Sequence, residues 1–418
     1  MPSRLRASLT VLLLVRGSAA ATPTPEETRA AAFSERDSGN DFFSEAGAGD
    51  APDADYAEAL AVQWGGPETP RWYAAAMRQY PRDHGEAQRG RRALVTGASS
   101  GVGFFVAKLL AAVGLVVVLP ARPNLEFEAH GAAAAIRAAV PGATIEVPEV
   151  PLDLRSFASV RAFGAHLRER GGAIDVLCLN AARGGGPRDT RETTTEGHEV
   201  VMAVNLLSHA LLVHELLPAL RASAYARIVA HTDTARANAP QSSLSDLESK
   251  RSSPWSQYAL SKAGLCLLAR ALNARLRKAG VAGAAVVADP GLAATGLSHQ
   301  NDLANTLGLF RRGFSDTRAF LSAHAAHAAD AALPVAMACL AGEPGDFWTG
   351  ELVGPKATSL DAATHIAGHL LWQPLRPNDP FGWPDQAADT LWQSVGAILG
   401  GGYKELAAAA RAKPKDEL

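Results

Sequence analysis

The 418-residue sequence predicts an α/β fold, a doubly wound parallel sheet with helices on both faces, and three observations carry that expectation. From Arg91 onward, short β-branched runs alternate with amphipathic helical stretches, as in sheets buried on both faces. The first unit, "RALVTGASSGVGFFVAKLLAAVG", is a strand, a glycine turn and a helix in succession. Polar clusters then follow the strand-like runs directly, at the sheet end where such folds bind ligands.

The chain is 47% hydrophobic and 20% charged, enough to bury a sizeable core, and its net charge of −2 gives nucleic acid no compositional support as a partner. Cys178, Cys266 and Cys339 each sit in an apolar run and read as small core residues rather than a disulfide framework. No cysteine or histidine spacing resembles a metal site. Arg4 and Arg6 precede the apolar run Ala7 to Val15, followed by the small residues Gly17 to Ala21, so residues 1–21 read as a cleaved secretory signal. Lys415-Asp416-Glu417-Leu418 reads as the retrieval signal of the endoplasmic reticulum. Together they imply a lumenal protein and a KDEL-type retrieval receptor as partner. Residues 22–90 open as an acidic, Ala/Gly-rich linker; Trp64, Trp72, Tyr73 and Tyr80 then suggest a helix lying on the main domain. Residues 91–400 form that domain, and 401–418 a tail.

The turn Thr96-Gly97-Ala98-Ser99-Ser100-Gly101-Val102-Gly103 has the composition of a dinucleotide loop. Gly97 permits the tight turn, Gly101 lets the backbone approach a pyrophosphate, and Gly103 lets helix and strand pack closely at the helix N-terminus. At the end of the next strand, "LVVVLPAR", stands Arg122, where an acid would otherwise bind the ribose hydroxyls. A guanidinium there suits a 2′-phosphate, which favours NADP over NAD. Further on, "QYALSKAGLCLLARALNARL" places Tyr258 and Lys262 four apart, on one helix face. A cation beside a phenol favours its ionised form and fits it for general acid/base work.

These residues, taken in order, resemble the short-chain dehydrogenase/reductase superfamily over roughly Arg91 to Gly400, with a single domain of the Rossmann type. The resemblance implies that Thr96 to Gly103 is the cofactor loop. Asp153, followed by Leu154 in "PLDLRS", would hold the adenine amino group, and Asn180 and Ala181 in "VLCLNAA" would line the cofactor cleft. Asn205 in "VMAVNLLSHALL" would support a proton relay, Tyr258 and Lys262 would be the catalytic pair, and Pro290, Gly291 and Thr295 in "DPGLAATGL" would contact the nicotinamide end. The spacing before Tyr258, "SDL" at Ser245 to Leu247 and "DTLWQSVGAILG" resemble the retinol dehydrogenase-like branch; "LNAAR" and "AATGL" also resemble protochlorophyllide reductase.

One position departs from the family. In "RIVAHTDTAR" the strand ends at Thr232 and Asp233, and Asp233 takes the place of the serine whose hydroxyl binds the substrate carbonyl. An ionised Asp233 cannot donate to a carbonyl and opposes tyrosinate, whereas a protonated one can donate. Thr232 or Thr234 could supply a hydroxyl after a small register shift. The expectation is therefore an NADP(H)-dependent oxidoreductase for an apolar carbonyl or alcohol of retinoid, steroid or lipid type. Its alternatives are a catalytically impaired nucleotide-binding protein or a protochlorophyllide reductase-like enzyme. Between Leu297 and "ALPVAMACLAG", Leu307, Leu309, Phe310, Phe314, Phe320 and Leu321 suit an apolar substrate pocket, contact with a membrane surface, or ordinary helix packing. A homo-oligomer is compatible with all of this.

Overall fold

The computed structural model describes residues 71–184, 191–249, 252–278, 281–290, 293–294, 326–340, 351–354, 371–374 and 386–400. The signal-like run, the retrieval tetrapeptide, Gly291, Thr295 and the apolar residues between Leu307 and Leu321 lie outside them.

Six strands run parallel in the order 3-2-1-4-5-6: β1 (Arg92–Val95), β2 (Val116–Val118), β3 (Ile145–Glu146), β4 (Val176–Leu179), β5 (Ala226–His231) and β6 (Gly283–Ala288). Beyond β6, and after the two-residue pair β7 (Ala293–Ala294) and β8 (Ala326–His327), come β9 (Glu351–Gly354), parallel to β6, and β10 (Leu371–Pro374), antiparallel to β9. The strand order reverses between β1 and β4, which are hydrogen-bonded neighbours pairing Leu94 with Leu177. A crevice opens at the carboxyl ends of the strands at such a reversal.

The apolar runs serve both faces by alternation. Leu94, Leu177, Leu179, Ile228 and Ala230 point into one core with α4 (Phe157–Arg170), α8 (Pro254–Lys278) and α10 (Gln386–Leu399). Ala93, Val95, Val176, Cys178 and Val229 point into the other, with α2 (Gly101–Val113), α3 (Glu126–Ala139) and α9 (Ala328–Leu340). The three cysteines are buried and form no disulfide. Helix α1 (Arg71–Gln88) lies on α2 and α9, as its aromatic residues suggested. Tyr73 is fully buried; its hydroxyl donates to the Phe105 carbonyl at 2.5 Å and its N–H to Asp330 at 3.0 Å. Among the described residues, no helix is long and apolar enough to cross a membrane.

Between β4 and β5 the chain forms α5 (Val200–Met202), a π-helical turn (Ala203–Leu207), α6 (Ser208–Glu215) and α7 (Leu217–Arg221). Glu199 caps the start by accepting from the N–H groups of Val201 and Met202. The wide turn carries Asn205 at its centre, and such turns recur at functional sites.

Candidate active site

The carboxyl ends of β1, β2, β4 and β5 assemble two adjoining groups of polar residues. The first is the glycine loop between β1 and α2. Gly97 has φ +65°, and a Cβ on Gly103 would lie 2.2 Å from the Gly97 carbonyl oxygen and 2.4 Å from Asn180 Nδ2. Helix and loop therefore approach more closely than any side chain allows. Asn180 stitches the loop from β4, donating from Nδ2 to the carbonyls of Thr96 at 2.7 Å and Gly97 at 3.2 Å. The Thr96 hydroxyl accepts in turn from the N–H groups of Asn180 and Ala181. These contacts leave the start of α2, at Ser100 and Gly101, as a backbone cradle suited to a pyrophosphate. Val102 is buried under it. Asp153 sits half-buried beyond β3, its carboxylate accepting from the Arg155 N–H at 2.8 Å. The carbonyl of Leu154 accepts from Ser208.

Arg122 stands at the end of β2 as expected, but not alone. Its Nη2 contacts both carboxylate oxygens of Glu128 from α3, at 2.6 and 2.7 Å, and Ser99 of the glycine loop donates to the same carboxylate at 3.3 Å. The sequence places no acid at the strand end; the fold brings one back from the next helix.

The second group centres on Asp233. The Tyr258 hydroxyl donates to Asp233 Oδ2 in a short hydrogen bond, and Lys262 Nζ lies 3.9 Å from the same oxygen. Asp233 Oδ1 accepts from the Ala235 N–H at 2.8 Å, capping the 3-10 turn Thr234–Asn238. Oδ1 thus serves the turn, while Oδ2 faces the phenol and the ammonium. The capping reading of Asp233 is met. Thr232 does not replace the missing hydroxyl: it is fully buried and donates to the Lys262 carbonyl at 2.9 Å. The register shift that would free it does not occur.

Lys262 is buried and donates to the His231 carbonyl at 3.3 Å. Burial pulls its ammonium below the ordinary lysine value, and Asp233 and Asp289 oppose that shift. Asn205 is fully buried: its side chain holds the loop after β4 by accepting from the Arg183 N–H at 2.7 Å and donating to the Arg183 carbonyl at 3.0 Å. It also donates to Ser261, which in turn donates to the Tyr258 carbonyl. Asn205 therefore positions α8 and the cofactor cleft together. Pro290 is buried at the end of β6.

Several participants were not legible as such. Arg236, buried three residues past Asp233, forms a short ion pair with Asp289 and donates to the Asp233 carbonyl at 2.8 Å. It ties the Asp233 turn to the segment after β6. His209 bridges the two groups: its Nε2 lies 3.0 Å from the Thr96 hydroxyl and its Nδ1 2.9 Å from the Asn205 carbonyl. A carbonyl only accepts, so Nδ1 carries the proton and Thr96 donates to Nε2. Burial lowers the His209 pKa to about 4, and holds the imidazole of His231, 2.8 Å from Asn180 Oδ1, well below its ordinary value. The signal that was available is the position of each beside a strand end or one helical turn from Asn205.

The comparisons agree with this geometry. Residues 91–305, half of the chain, match the family model for short chain dehydrogenase. The chain is 36% identical to a polyprenol dehydrogenase of Mus musculus over 215 residues, 50% of this chain and 62% of that protein. It is 34% identical to retinol dehydrogenase 13 of Homo sapiens over 218 residues, 51% of this chain and 62% of that protein. It thus spans less than two thirds of the length of these relatives. A crystal structure of an uncharacterized protein from Mycobacterium paratuberculosis superposes with a TM-score of 0.52 at 25% identity, over 78% of this chain and 97% of that one. The family match, the six-stranded order and the tyrosine–lysine pair beside a glycine cradle make this chain a member of the short-chain dehydrogenase/reductase family of oxidoreductases.

Proposed function

We propose that this chain exchanges hydride between NADPH and an apolar alcohol or carbonyl of retinoid, polyprenol or related lipid type. The observation that carries the proposal is the Tyr258–Asp233–Lys262 cluster at the end of β5, next to the loop pinned by Asn180. A nicotinamide dinucleotide, when bound, supplies or accepts the hydride. Thr96 to Gly103 would cradle its pyrophosphate. Arg122 would face the 2′-phosphate, Asp153 the adenine, and Asn180 and Ala181 the inner cleft.

Tyr258 exchanges the proton with the substrate oxygen. Lys262 favours the phenolate, and Asp233 works against it by accepting the phenol's proton in a hydrogen bond. Arg236 holds the Asp233 backbone through its carbonyl and pairs with Asp289. The substrate class is supported by the names of the two relatives, a polyprenol and a retinol dehydrogenase, and by the apolar residues expected between Leu307 and Leu321.

A second reading, a cofactor-binding protein with weak chemistry, is favoured by one observation: Tyr258 already donates its hydroxyl proton to Asp233. Turnover separates the two. A panel of retinoid, polyprenol, steroid and fatty aldehyde substrates should oxidise or reduce bound nicotinamide at a rate about 100-fold or more above Tyr258→Phe. Cofactor binding with equal rates in both proteins would leave only the binding reading.

A further inference from the structure

We propose that Glu128 sets the cofactor selectivity of the adenosine end, holding back the NADP preference that Arg122 alone would confer. The inference rests on the reading that the glycine loop and Arg122 receive a dinucleotide. Glu128 lies on α3, six residues beyond Arg122, and its side chain is 3% exposed, while that of Arg122 is 40% exposed. Its carboxylate touches both the strand end and the glycine loop: Arg122 Nη2 at 2.6 and 2.7 Å, and the Ser99 hydroxyl at 3.3 Å. In this fold class the space between the first loop and the end of the second strand holds the adenosine ribose.

Two consequences follow from the charges. A guanidinium in contact with a carboxylate forms a neutral pair, so its pull on a 2′-phosphate is reduced, and the carboxylate itself repels that dianion. The same carboxylate would be an acceptor for the ribose hydroxyls of NADH, which carries no phosphate there. The pocket therefore holds one group for each cofactor, and Glu128 narrows the difference between them. Because the carboxylate arrives from a helix rather than from the strand end, the selectivity is set by a residue that the strand-end position does not reveal.

The experiment titrates NADPH and NADH into the full chain, following nicotinamide fluorescence, for wild type and Glu128→Gln. Glutamine keeps the shape and can accept from Arg122 through its amide oxygen. The ratio of NADPH to NADH affinity should rise roughly tenfold, the size of one removed like-charge contact at a half-exposed site. An unchanged or lowered ratio would overturn the proposal, the latter by showing that Glu128 serves only to hold Arg122 in place. The double variant Arg122→Gln with Glu128→Gln removes both charges and leaves no buried charge unpaired. It should keep the wild-type ratio to within about threefold, because the pair it removes is neutral. A selective loss of NADPH there would contradict the proposal even if the single variant did not fold. Wild-type protein that binds neither reduced cofactor would overturn the dinucleotide reading itself, and this inference with it.

Discussion

The two halves of the site are built in different ways, though each closes around a strand end. At β1 the loop is held by neutral hydrogen bonds: Thr96, Asn180 and His209 satisfy one another and the backbone. At β5 the turn is held by charge, with Asp233 and Asp289 interleaved with Lys262 and Arg236. A neutral network fixes shape and tolerates changes of pH above the range where its histidines titrate. A charged one also biases the protonation of its members, and here it includes the Tyr258 phenol. The glycine-loop half keeps the residues that the family resemblance implies, while the Asp233 half departs from it.

Breaking the charged half should cost the most. Arg236→Met leaves Asp289 buried without its cation, and removing one partner of a buried pair typically costs about 3–5 kcal/mol. Chemical denaturation should show that loss, and the variant should also lose turnover because the Asp233 turn is no longer tied to the segment after β6. Stability within about 0.5 kcal/mol of wild type would mean the pair is not a tie at all.

The neutral half should fail by shape instead. In Gly103→Ala the added methyl meets the Gly97 carbonyl at 2.2 Å, so the loop must move; the cost is about 3 kcal/mol, at the top of the range for overpacking. NADPH and NADH binding should fall together, unlike the selective effect of Glu128→Gln. A change in one cofactor only would break the distinction between cradle and ribose pocket.

The smallest effect comes with pH. His209 is held neutral, its pKa lowered to about 4 by burial, whereas in the unfolded chain it returns to about 6.5. Between those values the unfolded state binds more protons, so the stability that depends on neutral His209 is complete above about 6.5 and is lost as pH falls toward 4. The buried His231 adds to the effect in the same direction. His209→Gln can keep both hydrogen bonds without titrating. Wild type should therefore lose about 2–3 kcal/mol more than the variant between pH 7 and pH 4. Parallel pH profiles would show that His209 is not held neutral.

How much of this the sequence disclosed depends on how local each feature is. The strand–glycine–helix unit, Asn180 and the Tyr258/Lys262 spacing are contiguous patterns, and the fold sets them where those patterns imply. The departure at Asp233 was also legible, because strand and helix fix its position from both sides. The contacts that decide its behaviour were not: the bond from Tyr258 joins residues 25 apart, and Arg236 finds Asp289 across 53 positions. Glu128 shows the same limit, since a helix turn returns it to a strand end where the sequence shows only Arg122. Asn205 was read as supporting the relay, and its bonds to Arg183 and Ser261 are again contacts across the chain that its local pattern does not show. Long-range pairing, not residue type, is what the sequence leaves out.

The central claim is that Asp233 holds the Tyr258 proton, and the most direct test titrates that phenol. Ultraviolet difference spectra against Tyr258→Phe isolate its ionisation in wild type and in Asp233→Ser, without requiring a substrate. Removing the carboxylate that accepts from the phenol, while Lys262 stays, should move the ionisation of Tyr258 to lower pH by about one unit or more. Turnover in the serine variant should then rise, by up to the roughly 100-fold that one well-placed donor contributes. A phenol that ionises at the same pH in both proteins would contradict the account, because Asp233 would then be only the cap of its turn.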